Sequence, residues 1–506
     1  MSPLAPLLLP ILLSPRAAPD ALVATHYFYW YRWPDSHFSQ PGAPGPEGHL
    51  RRFPAPETVD WGSAAWHETQ FRAMAAAGID VALPVYWGAP GAYDRPGTCF
   101  SVEGLAPMAA ALDAIAAAGE TGVRLGMFYD TTTLLRSVRG LASGPGMPER
   151  PDLTAPEGKA LFCGTVVEYF ARVPERHWAR LDSRPLVVTY GSGFAGAWDA
   201  TLGPALRAAF AARFPGEAPF LVADATWGEI GQDLTTAWGA ALVGPQLFPG
   251  VAQIGPGYDD SCVPSRHTPV RAREDGAFYR WSWRQAVVAK PRLVLIETWN
   301  EMHEGTEICA TIETGRFYLE LTREWTRRLA AGDPGPELPP PAPLYHRPDL
   351  AWGAEAKDAA EVRADYSRSS VERLGLREVV WEDGPCAVAD GALRPRPVAA
   401  ESVTYLYFQV SDHWRFDIAA DLELAVTIDG AGEGELGVQY DSRDPAAPLD
   451  GAYAAAVLHS SIREGAATTL VYRLPGARLA NRQNGGADLR LVTRGGGLAV
   501  GAVRLR

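Results

Sequence analysis

The stretch LVLIETWNEMHEGTEI runs from Leu293 to Ile308. Its first four residues, LVLI, are uniformly apolar and read as a short buried strand. Glu297, Glu301, His303, Glu304 and Glu307 then crowd into the eleven residues 297–307. A buried strand opening straight into ionisable residues fits one stave of a parallel barrel, because strand carboxyl ends gather on a single rim.

Reading outward, the same pattern recurs seven times upstream. The segments are LVATHYFYWY (22–31), IDVALPVYW (79–87), VRLGMFYD (123–130), PLVVTYG (185–191), PFLVADATW (219–227), and a weaker pair at 235–244 and 251–260. Amphipathic, alanine-rich stretches such as AAWHETQFRAMAAAG (64–78) and LAPMAAALDAIAAAG (105–119) lie between them, each closing on glycine as helices often do. Strand and helix alternating at this spacing imply parallel strands joined by crossovers. Eight strands in about 300 residues match a (β/α)8 barrel. A doubly wound open sheet is the competing arrangement, but no glycine-rich phosphate loop follows the first strand in THYFYWYRWPD. Strand ends carry Tyr29 and Trp30, Tyr86 and Trp87, Tyr129 and Asp130, Asp224 and Trp227, Tyr258 and Asp259, Trp299 and Glu301. Six such endings favour a lined pocket over incidental capping.

The segment DPGPELPPPAP (333–343) is stiff and extended and reads as a linker. Beyond about residue 370 the pattern becomes all-β, with strand-length runs from SVTYLYFQVS to LAVGAVRLR separated by turn residues. The expected organisation is a barrel at 21–332, a linker and irregular segment at 333–370, and a jelly-roll-like β-sandwich at 371–506. Residues 1–20 contain an apolar run, Leu4 to Leu13, before Ala17 and Ala18, like a signal peptide and its cleavage region. No basic residue precedes the run, yet the reading is secretion or a periplasmic location. The run is too short to span a bilayer.

A net charge of −13 disfavours a duplex nucleic acid partner. Sixteen Trp among 506 residues serve either core packing or flat platforms for sugar rings. The five cysteines, at 99, 163, 262, 309 and 386, form no CxxC pair and no zinc-like spacing. One disulfide is allowed by their number.

Two carboxyls crowded in a partly dry site resist ionising together, which leaves one as an acid and the other as a base. Cleaving a glycosidic bond requires such a pair. Glu301 and Glu304, interleaved with Trp299, Asn300 and His303 at the rim, are the candidates. Glu307 reads as a solvated residue or as a complement to the next helix's dipole. Glu297 reads either as a buried carboxylate or as part of the strand. His303 lacks an HxH or HxxxH partner and reads as a hydrogen-bonding residue. His26, Tyr29, Trp30, Trp87, Asp130, Asp224, Tyr258 and Asp259 are candidate pocket residues at other strand ends. Arg271, Arg273 and Arg280 read as ion-pair partners, and ATIETGRFYLELTREW (310–325) as the closing helix.

WNEMHEGTEI resembles the WNEWHEGT-type motif of glycoside hydrolase family 99, the endo-α-mannosidases, and HYFYWY resembles the start of that family's barrel. The layout is most similar to the bacterial domain-of-unknown-function family 5010. The resemblance implies a (β/α)8 fold and retaining hydrolysis of α-mannosidic bonds, with no metal and no cofactor. It implies that Glu301 deprotonates the sugar's 2-hydroxyl, which attacks C1 to give a 1,2-anhydro intermediate. Glu304 is then the general acid and afterwards the base. The match departs at Met302, where the family has Trp. An oligo- or polysaccharide is the expected partner, without membrane insertion; oligomeric state is left open. Two alternatives stand beside hydrolysis: a non-catalytic glycan-binding barrel, and a glycosyltransferase-related barrel. The C-terminal sandwich resembles carbohydrate-binding modules in size and position, with Tyr405, Tyr407 and Trp414 as platform candidates.

Overall fold

The computed structural model describes residues 21–34, 53–88, 100–134, 150–261, 263, 266, 268–368, 370–381, 383–396, 403–429, 434–456, 460–462, 467–494 and 499–506. The signal-like run, Cys99 and Cys262 lie outside them. The chain divides into two compact units, residues 1–262 with 271–343, and residues 263–270 with 344–506.

Eight parallel strands wall the first unit: β1 (Leu22–Tyr27), β2 (Val81–Tyr86), β3 (Met127–Tyr129), β4 (Arg184–Thr189), β5 (Phe220–Asp224), β6 (Leu234–Thr236), β7 (Val251–Ile254) and β8 (Leu293–Ile296). β1 is laced on both sides, with Thr25 opposite Ala82 of β2 and Ile296 of β8. Parallel ladders continue from β2 through β6 on one side and from β8 to β7 on the other. No ladder joins β6 to β7 among the described residues. There the Thr236 hydroxyl donates to the Gln253 amide oxygen instead. Every strand expected from the apolar runs is present. Their residues are buried nearly throughout, as in a sheet covered on both faces.

Helices cover the wall: α1 (Ala64–Ala76), α2 (Leu105–Ala117), α3 (Pro156–Arg172), α4 (Leu202–Arg213), α5 (Ala240–Val243), α6 (Ala277–Ala289) and α7 (Phe317–Ala331). Ser63 caps α1 by accepting the Trp66 N–H, and Trp66, Phe71 and Met74 form its inner face. Pro156 opens α3, where its missing N–H costs nothing. The alternation is imperfect after β5, where the 3-10 turn Ala225–Trp227 stands in place of a full helix. Residues 100–117 are long and apolar enough to cross a membrane by length and composition. Their Leu105, Met108, Leu112 and Ile115 belong to the barrel core.

The closing helix begins at Phe317, not near residue 310. Thr311 Oγ1 accepts the Thr314 N–H at 3.0 Å and contacts Thr314 Oγ1 at 2.8 Å, so hydroxyls capture the backbone in a turn first. The proline-rich segment lies along the barrel unit: Pro336 O accepts from Arg284 at 2.9 Å and Ala342 O accepts from Arg271.

Apart from residues 263–270, the second unit starts with Leu344, earlier than the change in pattern near 370 suggests. Its strands are β9 (Val362–Asp365), β10 (Glu372–Leu374), β11 (Leu376–Val379), β12 (Cys386–Ala389), β13 (Ala392–Pro395), β14 (Val403–Val410), β15 (Ala420–Asp429), β16 (Gly434–Tyr440), β17 (Ala454–Ala455), β18 (Ser460–Ile462), β19 (Thr468–Ala477), β20 (Leu489–Arg494) and β21 (Ala499–Leu505). β9, β10, β12, β13, β15, β19 and β21 form one sheet, and β11, β14, β16, β17, β18 and β20 the other. Both contribute to one core, through Leu424, Val426 and Val503 from the first and Leu406, Phe408, Val438 and Leu491 from the second. Alternation along these antiparallel strands supplies one inward face each.

Candidate active site

The rim loop after β8 is bolted to its neighbours by its own polar residues. Thr298 N–H donates to Thr306 O at 2.9 Å, and Thr298 Oγ1 accepts the Glu301 N–H at 2.8 Å. Asn300 Oδ1 accepts the Phe28 N–H at 2.8 Å, and Trp299 N–H donates to His26 O at 2.8 Å, which tie the loop to the end of β1. Glu301 caps the 3-10 turn Met302–Glu304. Its Oε1 accepts from the His303 backbone N–H at 3.1 Å and from His303 Nδ1 at 2.9 Å. The Tyr31 hydroxyl lies 3.2 Å from the same Nδ1 and accepts the Met302 N–H at 3.1 Å. Glu301 is 2% exposed, and its Oε2 has no hydrogen-bond partner among the described residues. Glu304 follows half-buried. The two carboxyls therefore sit in different surroundings, one locked beside a histidine and one nearer the surface.

Aromatic rings line the barrel interior. His26, Phe28, Phe128 and Trp238 pack together, with Phe128 and Trp238 stacked at 5.3 Å. Tyr190 meets Trp238 edge-on at 5.4 Å. Burial, then the charges of Asp130 and Glu304, push the Tyr190 phenol up, so both carboxylates lie within electrostatic reach of it. Trp30 lies 5.7 Å from Trp87 and 6.0 Å from His303, and Trp87 Nε1 donates to Asp130 at 2.6 Å. Burial pulls His26 down to about 4, so its ring is neutral. Its Nδ1–H donates to Ile296 O at 3.1 Å, and its Nε2 is buried with no partner among the described residues. Asn300 Nδ2 is likewise buried without a partner among them.

The structure thus brings His26, Trp30, Trp87, Asp130, Asn300, Glu301, His303 and Glu304 toward one end of the barrel. Tyr29 and Trp299 correct the expectation that they line a pocket. Period-two alternation turns Tyr27 and Tyr29 outward when His26 and Phe28 turn inward. Tyr29 is buried against Phe100 and His67, its hydroxyl donating to Ser101 O at 2.9 Å. Trp299 is buried beside α1, donating to Gln70 at 2.9 Å. Asp224 is buried, with Oδ1 taking the Thr226 N–H and hydroxyl and Oδ2 the Trp238 N–H at 2.8 Å, so it holds a loop. Tyr258 donates to Asp260 at 2.9 Å, and Asp259 accepts from the Ser261 N–H at 3.2 Å and donates its own N–H to Glu304 O at 2.8 Å. Met302 is fully buried.

Glu307 also differs from expectation. It is buried and pairs with Arg273 at 3.0 Å, and the same guanidinium donates to Gly305 O and Glu307 O. Arg273 thereby clamps the rim loop from β7's side of the chain. Glu297 is a buried carboxylate that receives the N–H groups of Gly239, Ala240 and Ala241 at 2.9–3.1 Å, and the Gln253 side chain. Burial pushes its pKa up to about 7, against those donors. Trp238, just ahead of this turn, and Tyr190 were not anticipated. Each ends its strand segment in an aromatic, the signal used for the other strands. Among the described residues no three His, Cys, Asp or Glu side chains converge as a metal site.

A family model described as Domain of unknown function (DUF5010) matches residues 20–337. The chain belongs to this family. The DUF5010 match takes in the whole barrel wall and the rim loop. A glycoprotein endo-α-1,2-mannosidase from Xenopus laevis is 31% identical over 93 residues, 15% of this chain and 21% of the relative. An endo-α-1,2-mannosidase-like protein from Homo sapiens is 32% identical over 94 residues, 16% and 21% respectively. The chain spans about a fifth of the length of these curated relatives. A family 99 endo-α-mannosidase structure from Bacteroides thetaiotaomicron aligns with 16% identity and a TM-score of 0.45, over 62% of this chain and 98% of that one.

Proposed function

We propose that the barrel is a glycoside hydrolase acting on an α-linked, mannoside-like glycan. The observation that carries this reading is the set of buried polar atoms without partners among the described residues: His26 Nε2, Asn300 Nδ2 and Glu301 Oε2. They come from adjacent strands, β1 and the loop after β8. Stranded groups of this kind each cost about 1–3 kcal/mol. A polyhydroxylated ligand satisfies an acceptor, a donor and a carboxylate at once, and the rings of Trp30, Trp87 and Trp238 offer flat apolar faces to a pyranose. The local likeness to endo-α-1,2-mannosidases supports the same chemistry.

In this mechanism the Glu301 Oε2 accepts the proton of the substrate's 2-hydroxyl, and the 2-oxygen attacks C1 as the glycosidic bond breaks. His303, donating to Oε1, fixes the carboxylate's orientation. Glu304 gives its proton to the departing oxygen. It then takes a proton from water, whose oxygen attacks C1 and breaks the C1–O2 bond, while the Glu301 carboxyl returns its proton to the 2-oxygen; the original anomeric configuration and both carboxyls are restored. His26 and Asn300 bind hydroxyls, and Asp130, Trp87, Trp30 and Tyr190 line the remainder of the site. Incubation with a panel of α-linked oligosaccharides, followed by NMR of the first-formed anomer, tests the reading. Turnover of an α-mannoside with retained configuration is expected. No turnover of any α-glycan overturns it.

A further inference from the structure

The second unit carries a separate cluster that the barrel chemistry does not use. On the face of the six-stranded sheet turned away from its core, Tyr407, Arg490 and Gln439 sit opposite one another across β14, β20 and β16. The alternate residues Leu406, Leu491 and Val438 fill the core behind them. The Arg490 guanidinium lies 4.2 Å from the Tyr405 ring and 4.4 Å from the Tyr453 ring. Its Nε donates to Gln439 at 2.7 Å and its Nη1 to the Tyr407 hydroxyl at 2.7 Å. All these partners are neutral. No carboxylate pairs with Arg490 among the described residues, and its Nη2 has no acceptor among them. In the same unit Arg373, Arg478 and Arg482 each pair with a carboxylate. Arg490 is half-buried, its guanidinium held in place by these four neutral neighbours.

The frame continues into a rigid polar border. The Tyr407 hydroxyl donates to Asp383 at 3.1 Å, Asn484 Nδ2 donates to Asp383 and to Tyr407, and the Tyr453 hydroxyl donates to Asn484 Oδ1 at 3.1 Å. Trp381 stands beside this border and is 41% exposed. Gly485, at φ +66°, lies flat against it: a Cβ there would come within 2.7 Å of Val379 and 3.0 Å of Trp381. Of the three platform candidates, Tyr407 is buried, Trp414 donates to Ala359 O at 2.9 Å, and Tyr405 braces the arginine.

We propose that this face binds an acidic saccharide, with Trp381 stacked on one pyranose ring and Arg490 taking the carboxylate of a neighbouring uronic acid residue. Arg490 has no ion-pair partner among the described residues, since the Asp383 carboxylate nearby is taken up by Tyr407 and Asn484, and guanidinium edges match carboxylates. The tyrosine braces remove the ordering cost of a free arginine. The site is independent of the barrel reaction.

Isothermal titration of the full chain with a glucuronate-containing oligosaccharide, and with its carboxyl-reduced counterpart, tests this. The wild type is expected to bind the acidic ligand about tenfold or more tightly than the reduced one. Arg490→Gln is expected to abolish that preference, Arg490→Lys to keep part of it, and Trp381→Ala to weaken both ligands. Equal binding of the two ligands by the wild type, no binding of the acidic ligand, or an unchanged preference in a folded Arg490→Gln protein each overturns the proposal. The wild-type comparison decides even where a variant fails to fold.

Discussion

Glu301 and Glu304 are three residues apart and yet differ in what touches them. Glu301 has one oxygen saturated by His303 and the other left over, so replacing it with Gln keeps the shape and, under the proposed mechanism, removes the base. Glu301→Gln is expected to lower kcat by about three orders of magnitude with the substrate's Kd nearly unchanged. Glu304→Gln is expected to cost a similar factor, and least for substrates with a leaving group that needs no protonation. Near wild-type turnover in either variant, with an unchanged Tm, would remove that residue from the mechanism. That Glu301 and His303 adjoin at the rim was readable from their spacing after an apolar run, but the acid clustering alone did not separate them from Glu297 and Glu307, which take structural bonds. The fates of Tyr29 and Trp299 were not legible from strand-end position alone. Side-chain parity, anchored on His26 facing inward, decides which aromatic at a strand end reaches the interior and which packs under a helix.

At the level of elements, the rim is built by side chains reaching from one strand end to the next. Glu297 at the end of β8 holds the first turn of α5, and Asp224 at the end of β5 holds the Trp238 N–H. Gly255 lets that turn approach, since a Cβ there would meet Ala241 at 2.5 Å. Because burial raises Glu297 to about 7, the folded state holds this proton more tightly than the unfolded chain. Its contribution to stability is therefore full below the ordinary glutamate range near 4.5 and is lost as pH rises through about 7. Thermal unfolding across pH checks this. The Tm of the wild type relative to Glu297→Gln is expected to fall between pH 5 and pH 8, and parallel profiles would refute the assignment. Helix α5 lies inside the weak strand-like segment 235–244, because four residues are too few to show a helical period.

For the molecule as a whole, the eight apolar runs, the crossover spacing and the change to an all-β pattern were readable, since burial on both faces of a parallel wall leaves continuous hydrophobic stretches. The missing helix after β5 and the early start of the second unit were not, because polar loop-like sequence is compatible with either ordered or extended chain. The three described cysteines report on the two units separately. Cys163 and Cys309 lie in the first and Cys386 in the second, all buried and unpaired, and burial pushes Cys163 and Cys386 up to about 11. Iodoacetamide at pH 8 is expected to leave all three unmodified in the native protein, and peptide mapping along a urea gradient to show each unit's opening by its own cysteine. Rapid native labelling of any of them would contradict the packing described.

The junction between β6 and β7 is joined by a hydroxyl and an amide where every other neighbour in the wall shares main-chain bonds. A designer who wished to reshape the opening could therefore exchange Thr236, Gln253 and Trp238 without severing a single backbone pairing. Glu301 lies one strand beyond that junction, on β8 and β1, whose main-chain ladders on both sides would keep its place while the neighbouring junction was altered.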